Sequence, residues 1–254
     1  MKFETAYCSY KQKEFTIDEI SHIYRQNIMQ FDYEYKGFLY CPECKCAKLS
    51  YHNAAHPYFS AYPKAKHEED CSLSQETIPS SKSEKYVNDT ANKKSIENQM
   101  DHLILLLSDQ QELVRKDSSI SKKLSEDQSC FSLDRSVSIQ SKKLPRKRID
   151  ISWRPDDYDC YKLFYGTIYL KWEKYEEGYK ILMYPRKGDR LMCKLRVKET
   201  VYQYLPNYYK ILDAFSCHIV FVASFSEKEN KKLQDKKYRT TYLVNSNRIK
   251  IVKI

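Results

Sequence analysis

Beyond residue 160 apolar and polar side chains alternate with period two, as they do in a strand with one buried face. Phe164, Ile168, Leu170 and Trp172 share one side and Tyr165, Thr167, Tyr169 and Lys171 the other, with Gly166 as a point where the strand can bend. A second strand, Tyr179 to Tyr184, follows Gly178. After a turn at Pro185 to Asp189 comes the clearest alternation in the chain, Leu191, Cys193, Leu195 and Val197 inward and Lys194, Arg196 and Lys198 outward. A helical stretch from Glu199 to Phe215 is interrupted or restarted at Pro206, which lacks the N–H that the helix needs. Two apolar runs, Cys217 to Ala223 and the short Tyr242 to Val244, follow, and Arg248 to Ile254 closes the chain. Upstream, Met100, Leu103, Ile104 and Leu107 fall at i, i+3, i+4 and i+7, with Leu113 and Val114 further along, which predicts one amphipathic helix over roughly 92–116. Its apolar stripe is expected to dock on a neighbouring domain rather than to pair two chains.

Composition narrows what such a chain can be. In 254 residues 41% are apolar and 31% charged, enough for two small cores, and no apolar run approaches the roughly 20 residues of a spanning helix. Charges interrupt the first 15 residues, MKFETAYCSYKQKEF, where a secretory signal needs a continuous apolar stretch, so a cytoplasmic protein is expected. The four glycines, Gly37, Gly166, Gly178 and Gly188, are too scattered for a phosphate-cradling loop, which excludes Walker, Rossmann and kinase sites. Nine cysteines without a secretory signal are expected to be reduced thiols, available as metal ligands.

The net charge of +10 is uneven: residues 1–75 balance to −1, residues 76–147 to +2 and residues 148–254 to +9. Outside its one helix the middle segment is rich in Ser, Lys, Asp, Glu and Gln, a composition that cannot bury enough surface to offset ordering entropy, so 76–147 reads as a linker.

Within the first segment Cys41 and Cys44 form a Cys-x-x-Cys knuckle, and His67 and Cys71 form a second half-site 22 residues further on. Four N and S donors in two short pairs meet the tetrahedral demand of a structural zinc ion, which would support a segment too small to hold a core unaided. Cys46 could replace Cys44, and His52 or His56 could replace His67; the pairing of His67 with Cys71 favours the set named first. A catalytic zinc would leave one position open beside a general base. Glu43, Glu68 and Glu69 are adjacent in sequence, but such acids are expected to face solvent.

The order of these features resembles a family. Ala6 and Tyr7 in an opening hairpin, the helix-like TIDEISHIYRQN, Phe38 to Cys44 with its CPEC, and Tyr58-Phe59 followed by His67 and Cys71 are similar to the N-terminal zinc-binding module of the CoiA-type competence proteins, over about the first 75 residues. The family's tandem histidines flank the phenylalanine, whereas this chain has His56-Pro57-Tyr58-Phe59, which leaves the third ligand open on that comparison. The resemblance implies a bacterial competence, mobile-element or defence setting and a nuclease-like domain downstream. Asp150 could serve as the first acid of such a nuclease, but no good second element follows: Glu173 is followed directly by Lys174, and Glu229-Asn230-Lys231 lies in a highly charged stretch.

In the basic third, three strands, a helix and two or three more strands is the order of the oligonucleotide-binding (OB) barrel, in which strands 2 and 3 carry the ligand. Tyr165, Tyr169, Lys171, Lys180, Tyr184, Arg186, Lys194, Arg196 and Lys198 are expected on or beside one sheet surface, mixing aromatic platforms with cations, which is what single-stranded nucleic acid requires. Arg154-Pro155-Asp156-Asp157-Tyr158-Asp159 reads as a turn into the first strand, Cys217 as a core residue and His218 as a near-surface one.

The fold class expected is therefore α+β in two small modules: a zinc-ribbon-like module over 1–75, a linker with one helix over 76–147, and a basic, mostly antiparallel OB-like barrel over 148–254 with one helix between its third and fourth strands. The function expected is a non-enzymatic adaptor whose partner is nucleic acid, single-stranded by preference, with a protein partner open to the zinc module and no membrane. A divergent CoiA-like metal-dependent nuclease and a protein-interaction module are the alternatives.

Overall fold

The computed structural model describes residues 2–68, 71–74, 76–116, 142–209, 213–226 and 239–254. The N-terminal part begins with β1 (Lys2–Phe3), β2 (Thr5–Cys8) and β3 (Lys13–Thr16), continues through α1 (Ile17–Gln26) and α2 (Ile28–Glu34), and ends with β4 (Leu39–Tyr40), β5 (Leu49–His52) and β6 (Tyr58–Ala61). Two antiparallel sheets result, in the orders β3-β2-β4 and β1-β6-β5. Thr16 starts α1 with a reciprocal cap, its hydroxyl accepting from the Glu19 N–H and Glu19 accepting from the Thr16 N–H at 2.7 Å. Phe3, Phe15, Ile20, Phe31, Leu49 and Phe59 fill the space between helices and sheets.

Next come α3 (Ser80–Asn88) and α4 (Lys93–Lys116), the latter close to the amphipathic helix expected from spacing. Ile96, Met100, Leu103 and Leu107 are buried, with Ile104 half-buried beside them, and they pack on Leu163, Val220 and Val222 of the large sheet. The side chains of Leu113 and Val114, and the remainder of the expected linker at 117–141, lie outside what is described. No described helix is long and apolar enough to cross a membrane.

The large sheet is built from β7 (Arg146–Arg148), β8 (Tyr161–Tyr175), β9 (Gly178–Tyr184), β10 (Cys193–Lys198), β11 (Phe215–Ser224), β12 (Arg239–Leu243) and β13 (Ile249–Lys253), with the short α5 (Glu199–Tyr202) after β10. Its order is β12-β10-β9-β8-β11-β13, with β7 beside β8; β7/β8 and β10/β12 are parallel and the other pairs antiparallel. Phe164, Ile168, Leu170 and Trp172 lie on the inner face with Ile181, Leu195, Ile219 and Phe221, as the period-two pattern requires. Gly178 starts β9 at φ +142°, and a Cβ there would stand 2.4 Å from the Val197 carbonyl oxygen, so the β8–β9 turn admits only glycine.

Three expectations are corrected. The sheet is open among the described residues and does not close as a barrel: β12 and β13 are its two edges, β13 being paired with β11. The helix expected over Glu199 to Phe215 is reduced to α5 and a single 3₁₀ turn at Asn207–Tyr209, with 210–212 outside the described residues; Pro206, which has no N–H to continue the helix, stands between them, and Leu205 and Tyr209 are buried in the core. His218 is not near-surface: it is 0% exposed and its Nδ1 lies 2.9 Å from the Thr167 hydroxyl, while the adjacent Cys217 points into the core.

One segment joins the N-terminal part to the large sheet. Between β7 and Arg154, Ile149 enters the large core and Ile151 the N-terminal one. Lys147 is 0% exposed; its Nζ lies 2.6 Å from Glu4 Oε1, 2.8 Å from the Ser152 carbonyl and 3.3 Å from Asp157 Oδ2. The second Glu4 oxygen accepts from the Arg148 N–H at 3.1 Å, Arg148 reaches Glu14, Asp18 accepts from the Ser152 N–H, and Arg154 donates to the Pro57 carbonyl. The Arg154–Asp159 turn is present, with Asp157 buried and bonded to Lys162 at 2.7 Å.

Replacing Lys147 with methionine leaves the Glu4 carboxylate enclosed without its cation. The expected loss is roughly 3 to 5 kcal/mol in urea unfolding of the full chain; a loss below about 1 kcal/mol would show that the two parts do not depend on this ion pair.

Candidate metal centre and sheet face

Strand β4 delivers Cys41 into the protein. A turn follows in which the Lys45 N–H donates to the Cys41 carbonyl at 3.0 Å and the Cys41 N–H donates to the Ala47 carbonyl at 2.8 Å, with Lys45 in the left-handed region at φ 56°. This knuckle aims Cys41 and Cys44 at the same point as His67 and Cys71. The four ligand atoms all lie within 4.8 Å of one another. Sulfur to sulfur, Cys41 and Cys71 are 3.8 Å apart; His67 Nδ1 is 3.5 Å from the Cys44 sulfur and 3.3 Å from that of Cys71. A tetrahedral ion with bonds of about 2.3 Å to sulfur and about 2.0 Å to imidazole sets its sulfurs about 3.8 Å apart and sulfur and nitrogen about 3.5 Å apart. The quartet therefore fits a single metal ion.

Thiolate formation is already favoured there. Burial opposes ionisation of Cys44, but the N–H groups of Ala47, Glu68 and Cys46 outweigh it and hold the thiol below its ordinary range. The hydrogen bond between Cys41 and Cys71 lowers Cys71 and raises Cys41, so this pair shares one proton that an ion would displace. The substitutes that spacing allowed are elsewhere. Cys46 is exposed and donates to Glu68 at 3.1 Å; His52 sits on the β5–β6 hairpin with Ser50 and Ser60 around its Nε2; His56 lines a surface cleft with Asp18 and Arg25.

Glu43, inside the knuckle, does not face solvent as expected. Its side chain is 10% exposed; Oε1 accepts from the Ser72 N–H at 2.6 Å and from His102 Nε2 at 3.0 Å, and Oε2 from the Ser72 hydroxyl at 2.5 Å. Burial alone would raise its pKa, but His102 and Ser72 prevail and hold it at about 2. Its contribution to stability is therefore complete above the ordinary carboxylate value of 4.5 and is lost as pH falls through about 2. Sequence spacing gave no sign of this link, because its partners come from α4 and from beyond Cys71. Asp150 pairs with Arg148 at 2.8 Å and belongs to no metal-holding carboxylate group among the described residues; Glu229 and Lys231 lie outside them.

On the large sheet the register decides which side chains share a face. Tyr169 lies opposite Tyr184, Lys171 opposite Leu182, and Glu173 opposite Lys180; across the next pair Lys194 lies opposite Leu182, Arg196 opposite Lys180, and Lys198 opposite Gly178. Tyr169, Lys171, Lys180, Tyr184, Lys194, Arg196 and Lys198 thus occupy one outer surface, with Leu182 buried beneath their stems. Arg186 lies in the exposed turn beyond β9, where the Asp189 N–H donates to its carbonyl. Tyr165 is a correction: it has the right parity but lies under α4, packed with Leu163, Val220 and Val222, and burial pushes its hydroxyl well above the ordinary range. Two tyrosines that the strand pattern missed join the surface. The Lys180 ammonium sits 4.5 Å from the Tyr175 ring, and Arg196 donates to the Tyr242 hydroxyl at 2.7 Å.

Compared with family models, with curated proteins and with solved structures, the chain matches none.

Metal analysis of the purified chain is expected to return one tightly bound ion, lost in Cys41→Ser, Cys44→Ser and Cys71→Ser and retained in Cys46→Ser; retention in the first three would remove the centre. Glu43→Gln is expected to keep the ion yet lower unfolding stability by about 1 to 3 kcal/mol, since it weakens charged hydrogen bonds to Ser72 and His102 and removes no ligand. Loss of the ion in that variant would mean that Glu43 acts on the centre itself.

Proposed function

We propose that the protein is a zinc-stabilised nucleic-acid-binding protein that holds a single strand across the outer face of its large sheet. The observation that carries the reading is the register, which sets Tyr169 against Tyr184 and surrounds them with Lys171, Lys180, Lys194, Arg196 and Lys198. Bases stack on exposed aromatic rings at about 1 to 3 kcal/mol each, and cations beside them neutralise the phosphates, without any demand for sequence. Glu173 lies within this set, 3.4 Å from Lys171.

Connectivity supports an OB-like origin for the sheet. Taking β8 to β12 as strands 1 to 5, their order is 5-3-2-1-4, with strand 5 parallel to strand 3, strand 4 antiparallel to strand 1 and a short helix after strand 3; the proposed face is built from strands 1 to 3. The donor set supports zinc as the ion: three sulfurs and one imidazole in tetrahedral separation leave no open position, which is the pattern of a structural rather than a catalytic site. The resemblance of the first 75 residues to the CoiA-type module agrees with a protein that works on nucleic acid.

Fluorescence anisotropy with short single strands, duplex DNA and RNA at two salt concentrations tests this directly. Charge reversal at Lys194, Arg196 and Lys198 together is expected to weaken single-strand binding at least tenfold and to flatten its salt dependence, because fewer counterions are released. Tyr169→Ala and Tyr184→Ala are expected to cost about 1 to 3 kcal/mol each with the salt slope unchanged. Reversal of the exposed Lys82 and Lys85 on α3 serves as the control. Equal affinity in the triple variant and the control would overturn the assignment of the face.

A further inference from the structure

Where the N-terminal sheets, α4 and the start of the large sheet meet, they enclose a cavity of about 130 Å³. Phe3 from β1 and Leu103, Leu106 and Leu107 from α4 give it apolar walls, and Lys143, Arg146 and Tyr165 also line it. Arg146 is only 12% exposed. Its Nη1 stands 3.7 Å from Glu43, whose oxygens are already taken by Ser72 and His102, and its Nη2 is buried with no hydrogen-bond partner. Lys143 Nζ reaches the Ser72 carbonyl at 3.4 Å and pairs with no carboxylate among the described residues. Tyr165, on the same lining, has a phenol within electrostatic range of Arg148, Glu4, Glu14 and Arg146 and makes no side-chain hydrogen bond within the described residues.

Most of the other charges around the cavity are matched; Lys2, also on its lining, instead lies over the Tyr58 ring, 4.7 Å from the centroid. Glu4 pairs with Lys147 at 2.6 Å, and Arg148 pairs with Glu14 at 3.3 Å and Asp150 at 2.8 Å. What remains is a guanidinium, an ammonium and a phenol, each able to donate and none of them a carboxylate, beside apolar side chains. A buried charged donor left without a partner is destabilising, and ligand sites combine apolar walls with a few convergent polar groups of this kind. Size limits the ligand, since a cavity of about 150 Å³ holds benzene.

We propose that this cavity binds a small organic anion, a carboxylate or phosphate headgroup on an apolar body about the size of a benzene ring, with Arg146, Lys143 and Tyr165 on the headgroup and the α4 leucines around the body. Burial and the neighbouring Arg146 charge hold Lys143 down at about 8, a shift that a bound anion reverses. The site is independent of the sheet face: it lies under α4, and a ligand there bridges the N-terminal part, α4 and the large sheet and so stabilises all three together.

Calorimetric titration and thermal melting of the full chain with benzoate and phenyl phosphate test the proposal, with inorganic phosphate as headgroup alone and benzyl alcohol as body alone. At least one of the two aromatic anions is expected to bind and to raise the melting temperature, with both single-feature probes at least tenfold weaker. Arg146→Gln is expected to weaken binding tenfold or more. Tyr165→Phe and Lys143→Met, which remove a donor but keep most of the packing, are each expected to weaken it several-fold and carry the test if Arg146→Gln does not fold. No binding by either aromatic anion, equal binding of benzyl alcohol or inorganic phosphate, or affinity unchanged in the variants that fold would each overturn it.

Discussion

An ammonium group enclosed away from water is costly unless oxygens replace its hydration, and Lys147 obtains them from two parts of the protein at once. Glu4 comes from the first strand pair, Asp157 and Ser152 from the turn ahead of β8. Because one carboxylate oxygen of Glu4 takes Lys147 and the other takes the Arg148 N–H, the N-terminal sheets can sit on the large sheet in one register only. The short stretch from Arg146 to Arg154 follows from that restraint: Ile149 turns toward one core and Ile151 toward the other, and the cavity under α4 is the space left where the three parts meet.

Much of this was legible in the sequence wherever the cause is local. The two half-sites of the metal centre, the stripe of α4 and the alternation in β8 and β10 follow from spacing, and spacing alone places Cys41, Cys44, Met100, Leu103 and Lys194 correctly. The residues that were misplaced are those whose surroundings are set by distant segments. Tyr165 has the parity of an outer-face residue, but α4, some sixty residues earlier, covers it. His218 reads as polar in an apolar strand, yet it is fully buried, with the Thr167 hydroxyl of β8 as its partner. Glu43 sits in a turn that looks solvated until His102 and Ser72 arrive. The open sheet is a similar case, since nothing in the alternation of Ile249 to Lys253 says that this last strand pairs with β11 and forms an edge.

The two faces of β8 show how one strand serves two purposes. Its inner residues join the large core, while along its outer side the surroundings change from apolar contact under α4 at Tyr165 to half-exposed Tyr169 and exposed Lys171. The long stems of Lys171 and Lys194 flank Leu182 and keep an apolar residue dry on a surface that is otherwise cationic. The same lysines thus cover the sheet and hold its charge in solvent, where salt screens it over about 10 Å.

The bond between Glu4 and Lys147 also sets an order of events during synthesis, since its partners are separated by 143 residues. At about 5 to 20 residues per second, on the order of ten seconds pass between the emergence of β1 and that of β7. About halfway through that interval His67 and Cys71 join Cys41 and Cys44, while Glu4 has no cation and Ile151 has not yet reached the N-terminal core. The ligand set of the candidate metal centre is therefore complete before the core of the first part can be, and an ion held there would keep the beginning of the chain ready for its end.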